Sequence, residues 1–168
     1  MNTSVDPEDF EDPLSNYDPP QFGSAVEAAL AESTADAMQS RPYAEVSSGT
    51  PIRLAIHALH GLKVSCLLVV DNEQLVGIFT ERDVLERVAE QYPNLADQPI
   101  REVMTTDPVV VYAHNPSGTA LAAIAAAGYR HVPVVEADGR VAGIVSPRRV
   151  FSYLEDFFEA GHNAEAIG

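Results

Sequence analysis

Apolar positions along this chain alternate between helical spacing and short β-branched runs, and they do so twice in the same order. Ile52, Leu54, Ala55, Ile56 and Leu59 recur at helical spacing after Thr50-Pro51, an N-cap followed by proline at N1, and Gly61 is a natural terminator. Two strands follow, Leu67–Asp71 and Leu75–Phe79, separated by the polar turn Asn72-Glu73-Gln74, and a closing helix begins after Thr80. The second round opens at Asn115-Pro116 and runs through Ala120, Leu121 and Ile124 to Gly128. Its strands are Val132–Glu136 and Val141–Val145 around Ala137-Asp138-Gly139, and its closing helix begins after Ser146. Met38 and Met104, Pro42 and Pro108, and Gly77 and Gly143 each lie 66 residues apart, and Pro51 and Pro116 lie 65 apart. A near-constant offset across separate landmarks is the mark of an internal repeat. One unit of this size cannot bury both faces of its own sheet, so two should pack together through their sheets. The expected fold is α/β (α+β): two βαββα repeats forming one pseudo-two-fold module.

The flanks complete the division of the chain. Residues 1–23 read as a disordered acidic tail, because they offer too little apolar surface to offset the entropy of ordering. Ser24-Ala25-Val26-Glu27 reads as a capping box opening a helix over residues 24–40, with Val26, Leu30, Ala37 and Met38 as a weak stripe and Arg41-Pro42 as its stop. The repeats then span 41–92 and 99–158, with a linker at 93–98 and a C-terminal tail at 159–168. Val150, Phe151, Tyr153, Leu154, Phe157 and Phe158 make the last helix too apolar for a free surface, which leaves core packing and a dimer interface both open.

Charge narrows the function classes. The net charge is −15, with nine acids and no Lys or Arg in the first 40 residues. The remaining sixteen acids and ten bases leave the body at −6, which argues against nonspecific nucleic-acid or anionic-membrane binding. A single cysteine rules out an intrachain disulfide and fits a reducing compartment. With no secretory h-region and no apolar run of membrane length, a cytoplasmic protein is expected.

The two motif sets resemble a tandem pair of cystathionine-β-synthase (CBS) domains, a Bateman module. The first is Leu67-Leu68-Val69-Val70-Asp71 with Gly77-Ile78-Phe79-Thr80-Glu81-Arg82-Asp83-Val84. The second is His131-Val132-Pro133-Val134-Val135-Glu136 with Gly143-Ile144-Val145-Ser146-Pro147-Arg148-Arg149-Val150. The resemblance covers about residues 36–156 and implies a regulatory module. Such a module binds an adenosine derivative (AMP, ADP, ATP, S-adenosylmethionine or similar) between the repeats, commonly as a homodimer, and signals to a protein partner. A structural or dimerisation module with a vestigial nucleotide cleft is the alternative.

By that resemblance Thr80 and Asp83 hold a ribose, since a carboxylate accepts from both sugar hydroxyls and a threonine hydroxyl adds a third contact. Thr-x-x-Asp is equally a capping box that needs no ligand. Backbone at Tyr43, Ala44 and Ile78 is expected at the adenine, and Arg82, Arg130, His131 and Arg148 at the phosphates. Arg130 and His131 also fit a solvated strand start, and the equivalent pair in the first copy, Val64-Ser65, is uncharged. In the second copy Ser146 keeps the hydroxyl but Arg149 replaces the acid, and a guanidinium has no acceptor for a diol. One adenosine site per chain is therefore expected, beside a degenerate one.

Other features point to no chemistry. His57 and His60 share a helix face with no further ligand at useful spacing, and Cys66 begins an apolar strand. No nucleophile–base pattern or phosphate-binding glycine loop is present, so neither an enzyme nor a required cofactor or metal is expected.

Overall fold

The computed structural model describes residues 21–38 and 43–165; the acidic tail up to residue 20, Arg41-Pro42 and the last three residues lie outside it. Helix α1 (Ala25–Glu32) opens as the sequence predicts: the Glu27 N–H donates to Ser24 Oγ at 3.2 Å, and the Glu27 carboxylate accepts from the Gly23 N–H at 2.7 Å. It ends earlier than expected. Ser33 turns extended, Thr34 bridges to Pro116, and a 3-10 turn occupies Ala35–Met38. The Ala35 N–H donates to Asn115 O at 2.8 Å, so pairing with a segment 80 residues away displaces the last helical turns.

Strands β1 (Glu45–Val46), β2 (Cys66–Asp71), β3 (Gln74–Thr80) and β4 (Thr105–Thr106) form one sheet in that order, with β1 and β2 parallel and the other pairs antiparallel. Strands β5 (Val111–Tyr112), β6 (Val132–Val135) and β7 (Val141–Val145) form the second, with the same parallel-then-antiparallel order. Both hairpins shift register at the same place, between Val69 and Val70 and between Val134 and Val135. Gly77 has a steric reason: a Cβ there would lie 2.8 Å from Thr105 O and from Met104 Sδ. Only glycine lets β4 lie this close to β3.

Helices α2 (Ile52–Leu62) and α5 (Ser117–Ala127) pack on these sheets, but their starts differ from the sequence expectation. Pro51 and Pro116 are themselves the N-caps, with no side-chain cap. The orphan N–H groups of the first turn instead find distant carbonyls: Ile52 to Gln98 O (2.9 Å), Arg53 to Ala96 O (2.9 Å) and Ser117 to Ser33 O (2.8 Å). Gly61 lies inside α2, which Lys63 ends in the left-handed conformation (φ 54°), whereas Gly128 ends α5 as expected (φ 69°). The first closing helix is irregular. Helix α3 (Glu81–Asp83) runs into a π turn at Val84–Val88 and a 3-10 turn at Ala89–Gln91 before α4 (Tyr92–Leu95), so helix extends into the stretch expected to be linker. The second closing helix, α6 (Pro147–Glu165), is continuous.

Among the described residues three clusters make the core, and their membership is reciprocal. Ala35 and Met38, ahead of the first repeat, pack with Val111, Ala120, Val132, Val134, Val145, Val150 and Leu154 of the second. Ile100 and Val103, at the start of the second repeat, pack with Ile52, Leu67, Val69, Phe79 and Val88 of the first. The third cluster joins the sheets, through Cys66, Leu68 and Ile144 with Tyr43, Val70, Leu75, Ile78 and Val141 around them. The result is a mixed α/β fold of two repeats packed through their sheets, as the repeat pattern predicts. On α6, Val150 and Leu154 are buried in the core while Phe151 is 71% exposed.

Candidate functional site

The repeats meet at Ser65 and His131, equivalent positions 66 residues apart. Ser65 Oγ and His131 Nε2 are 2.9 Å apart, a hydrogen bond between equivalent positions of the two repeats. On either side opens a cleft, and each is built from both repeats. The smaller, about 160 Å³, takes Ile78, Thr80, Glu81 and Arg82 from the end of β3 and the start of α3, and Gly128, Tyr129 and Arg130 from the turn before β6. The larger, about 470 Å³, takes Ile144, Ser146, Arg148, Arg149, Ser152 and Tyr153 from β7, α6 and the turn between them, Lys63 and Val64 from the turn before β2, and Cys66 from the start of β2. Met38, Tyr43 and Ala44 close it, and Ser65 and His131 line both clefts.

This arrangement regroups the residues singled out from the sequence. Thr80, Ile78, Arg82, Arg130 and His131 do come together, at the smaller cleft. Tyr43 and Ala44, expected beside Thr80, lie instead with Ser146, Arg148 and Arg149. Asp83 lines neither. Its Oδ2 accepts from the Thr80 N–H (2.8 Å) and Thr80 Oγ1 (2.7 Å), and its Oδ1 accepts from Thr105 Oγ1 (3.4 Å) and faces Arg87 at 3.3 Å. With the residue 6% exposed, both carboxylate oxygens are engaged, and the capping box is the geometry present. Arg149 cannot build such a box, and the α6 turn keeps its side chains at the larger cleft instead.

Lys63, Ser152, Tyr153 and Met38 were not singled out in advance as lining residues. Lys63 had a usable signal: it stands two residues before Ser65, as Tyr129 stands two before His131. Tyr153 had none, because its place at the cleft follows from how α6 docks. Its hydroxyl pairs with Ser33 Oγ at 2.6 Å, and its ring packs 5.2 Å from that of Phe157.

Electrostatics differ between the groups. Burial, and then the neighbouring Arg130 charge, hold the His131 imidazole below its usual 6.5, while Glu81 pulls the other way. It is therefore a neutral hydrogen-bonding group at neutral pH. Burial, with the Asp83 charge adding to it, pushes the Cys66 thiol up to about 12, so this cysteine is no nucleophile. Desolvation lowers the Arg149 pKa, which leaves the guanidinium charged. Among the described residues no group of three or more His, Cys, Asp or Glu is placed to hold a metal ion. None of the described helices is long and apolar enough to cross a membrane.

Two βαββα repeats flanking paired clefts define a tandem-repeat α/β module. The chain belongs to the CBS-domain family: the CBS domain pattern matches it twice, over residues 35–90 and 100–156. A CBS domain-containing protein of Arabidopsis thaliana is 32% identical over 123 residues, which are 73% of this chain but 23% of that protein. This chain thus spans about a quarter of that relative's length. The CBS domain pair of protein MJ0100, in complex with 5′-methylthioadenosine and S-adenosyl-L-methionine, is 25% identical, with a TM-score of 0.62 over 71% of this chain and 98% of that one. A CBS domain protein from Pyrobaculum aerophilum complexed with AMP shares the fold at 24% identity, with a TM-score of 0.63 over 70% and 89% of the two chains.

Proposed function

We propose that this chain is a regulatory ligand-sensing CBS pair that binds an adenosine derivative in the larger inter-repeat cleft and passes its occupancy to a partner protein. The observation that carries this reading is the cleft itself. At about 470 Å³ it falls within the range of small-molecule sites, and apolar Met38, Val64 and Ile144 line it together with cations and hydroxyls. Adenosine compounds occupy two proteins of this fold, which gives the ligand class. In the same proposal the chain acts by binding and not by catalysis. Ligand binding shifts the packing of two repeats that share cores, and a partner reads the change. Two copies associate as a homodimer in the same proposal, and sedimentation velocity showing only a monomer would remove that part.

Titration calorimetry with adenine nucleotides, 5′-methylthioadenosine and S-adenosylmethionine tests the binding. We expect one site per chain and a rise in melting temperature with ligand, about 2.7 kcal/mol of stabilisation at a hundredfold excess over Kd. Absence of stabilisation by every adenosine compound would favour a structural or dimerisation module with a vestigial cleft. The smaller cleft supports that second reading for its own side, because at about 160 Å³ it is too small for a nucleotide and its neighbour Asp83 is already bonded.

A further inference from the structure

Helix α1 and the 3-10 turn at Ala35–Met38 lie along α5 and α6 of the second repeat, and the segment ends in the wall of the larger cleft. Its anchors are polar and local. Ser117 Oγ donates to Ala29 O at 3.2 Å, and the Ser117 N–H donates to Ser33 O at 2.8 Å. The Ala35 N–H donates to Asn115 O at 2.8 Å, and the Tyr153 hydroxyl donates to Ser33 Oγ at 2.6 Å. Val26 and Leu30 add apolar contact but are only half-buried. A helix of eight residues has little stability of its own, so these contacts set how often the segment lifts. Two residues join the segment to the cleft. Met38, 1% exposed, lines it from the segment, and Tyr153 lines it from α6 while its hydroxyl holds Ser33.

We propose that residues 21–38 act as a strap on the larger cleft: docked, they complete its wall, and lifted, they open it, so strap docking and cleft closure are one equilibrium. A compound filling the cleft packs on Met38, which stands in the wall only while the strap is down, and on Tyr153, which the strap orients. Occupancy therefore holds the strap, and by reciprocity anything that pulls the strap away weakens binding in the cleft. The strap is then the element through which occupancy is read outside the cleft. The inference rests on the adenosine reading for what fills the cleft, whereas the movement of the strap needs no ligand.

Cys66, the single cysteine of the chain, reports the opening, because it lines the same cleft and is 6% exposed. The test follows amide exchange in Ala25–Glu32 and alkylation of Cys66 by iodoacetamide on the full chain, on Ser33→Ala and on Tyr153→Phe, which remove one bond from its two sides. In each variant both rates should rise together, by about fivefold for one lost hydrogen bond, with exchange in Ile52–Leu62 unchanged. AMP, ATP, 5′-methylthioadenosine or S-adenosylmethionine, wherever calorimetry shows binding, should slow both rates in the unaltered chain. Faster exchange in Ala25–Glu32 with unchanged alkylation of Cys66 would show a strap that lifts without opening the cleft, and would overturn the proposal. Unchanged rates of both in the two variants would overturn it as well. A bound compound that slows neither rate would overturn the coupling and leave the adenosine reading standing. Binding by none of the four, with both rates still rising together in the variants, would sink the adenosine reading and sustain the strap.

Discussion

Asp83 and Arg149 occupy equivalent turns, and their side chains settle the character of each cleft. Asp83 is spent on its own helix start, where it holds the Thr80 N–H and hydroxyl and neutralises Arg87. Asp83→Ala should therefore destabilise the chain by about 1–2 kcal/mol through loss of the cap, read as a lower urea midpoint. Gly77 is a second residue whose identity is steric. Gly77→Ala sets a methyl against Thr105 O, a backbone atom, and should cost about 1–3 kcal/mol in the same measurement. Cys66 gives a chemical readout. With its thiol held near 12, iodoacetamide should label it slowly at neutral pH in the native chain and rapidly in urea. All three residue types were visible in the sequence. The Thr-x-x-Asp motif alone left ribose binding and capping open, and the bond distances show the cap formed.

At the scale of elements, periodicity identified most helices and strands, and missed their ends. Helix α1 has only eight residues, too few to persist without tertiary contacts. Its C-terminal end is held by the second repeat: Ser117 Oγ donates to Ala29 O at 3.2 Å, and the Tyr153 hydroxyl donates to Ser33 Oγ at 2.6 Å. Tyr153 also lines the larger cleft, so one side chain touches both the site and α1. Tyr153→Phe should lower stability by about 1 kcal/mol and speed amide exchange in Ala25–Glu32 while leaving α2 unchanged. Equal acceleration in both helices would mean that α1 is not held locally by this contact. The early end of α1 and the N-cap role of Pro51 and Pro116 were illegible in sequence, because their partners lie across the molecule.

Across the whole molecule, the repeats exchange their leading segments and share the Ser65–His131 pair. This shared histidine makes stability depend on pH. Its folded pKa lies below the unfolded 6.5, so the unfolded chain takes up the proton first as the solution is acidified. The stability contributed by neutral His131 is complete above pH 6.5 and is lost as pH falls through the folded value. Asp71 and Asp138, whose carboxyls are held below their usual 3.8, titrate outside that window. Urea midpoints should therefore fall between pH 7.5 and 5.5, and His131→Asn should flatten the difference.

Local patterning was sufficient for the repeat, the order of its elements, the sheet-to-sheet packing and the loss of the acid at position 149. Each of these is written in side-chain periodicity or in residue identity at equivalent positions, and neither needs a partner to be read. Tertiary structure alone decided that each cleft draws one turn from each repeat, that Tyr43 and Ala44 belong with Arg149 rather than Thr80, and that the cleft beside the altered turn is the larger. Those facts follow from contacts between residues far apart in the chain, where the hydrophobic pattern states only which faces are buried and not what they are buried against.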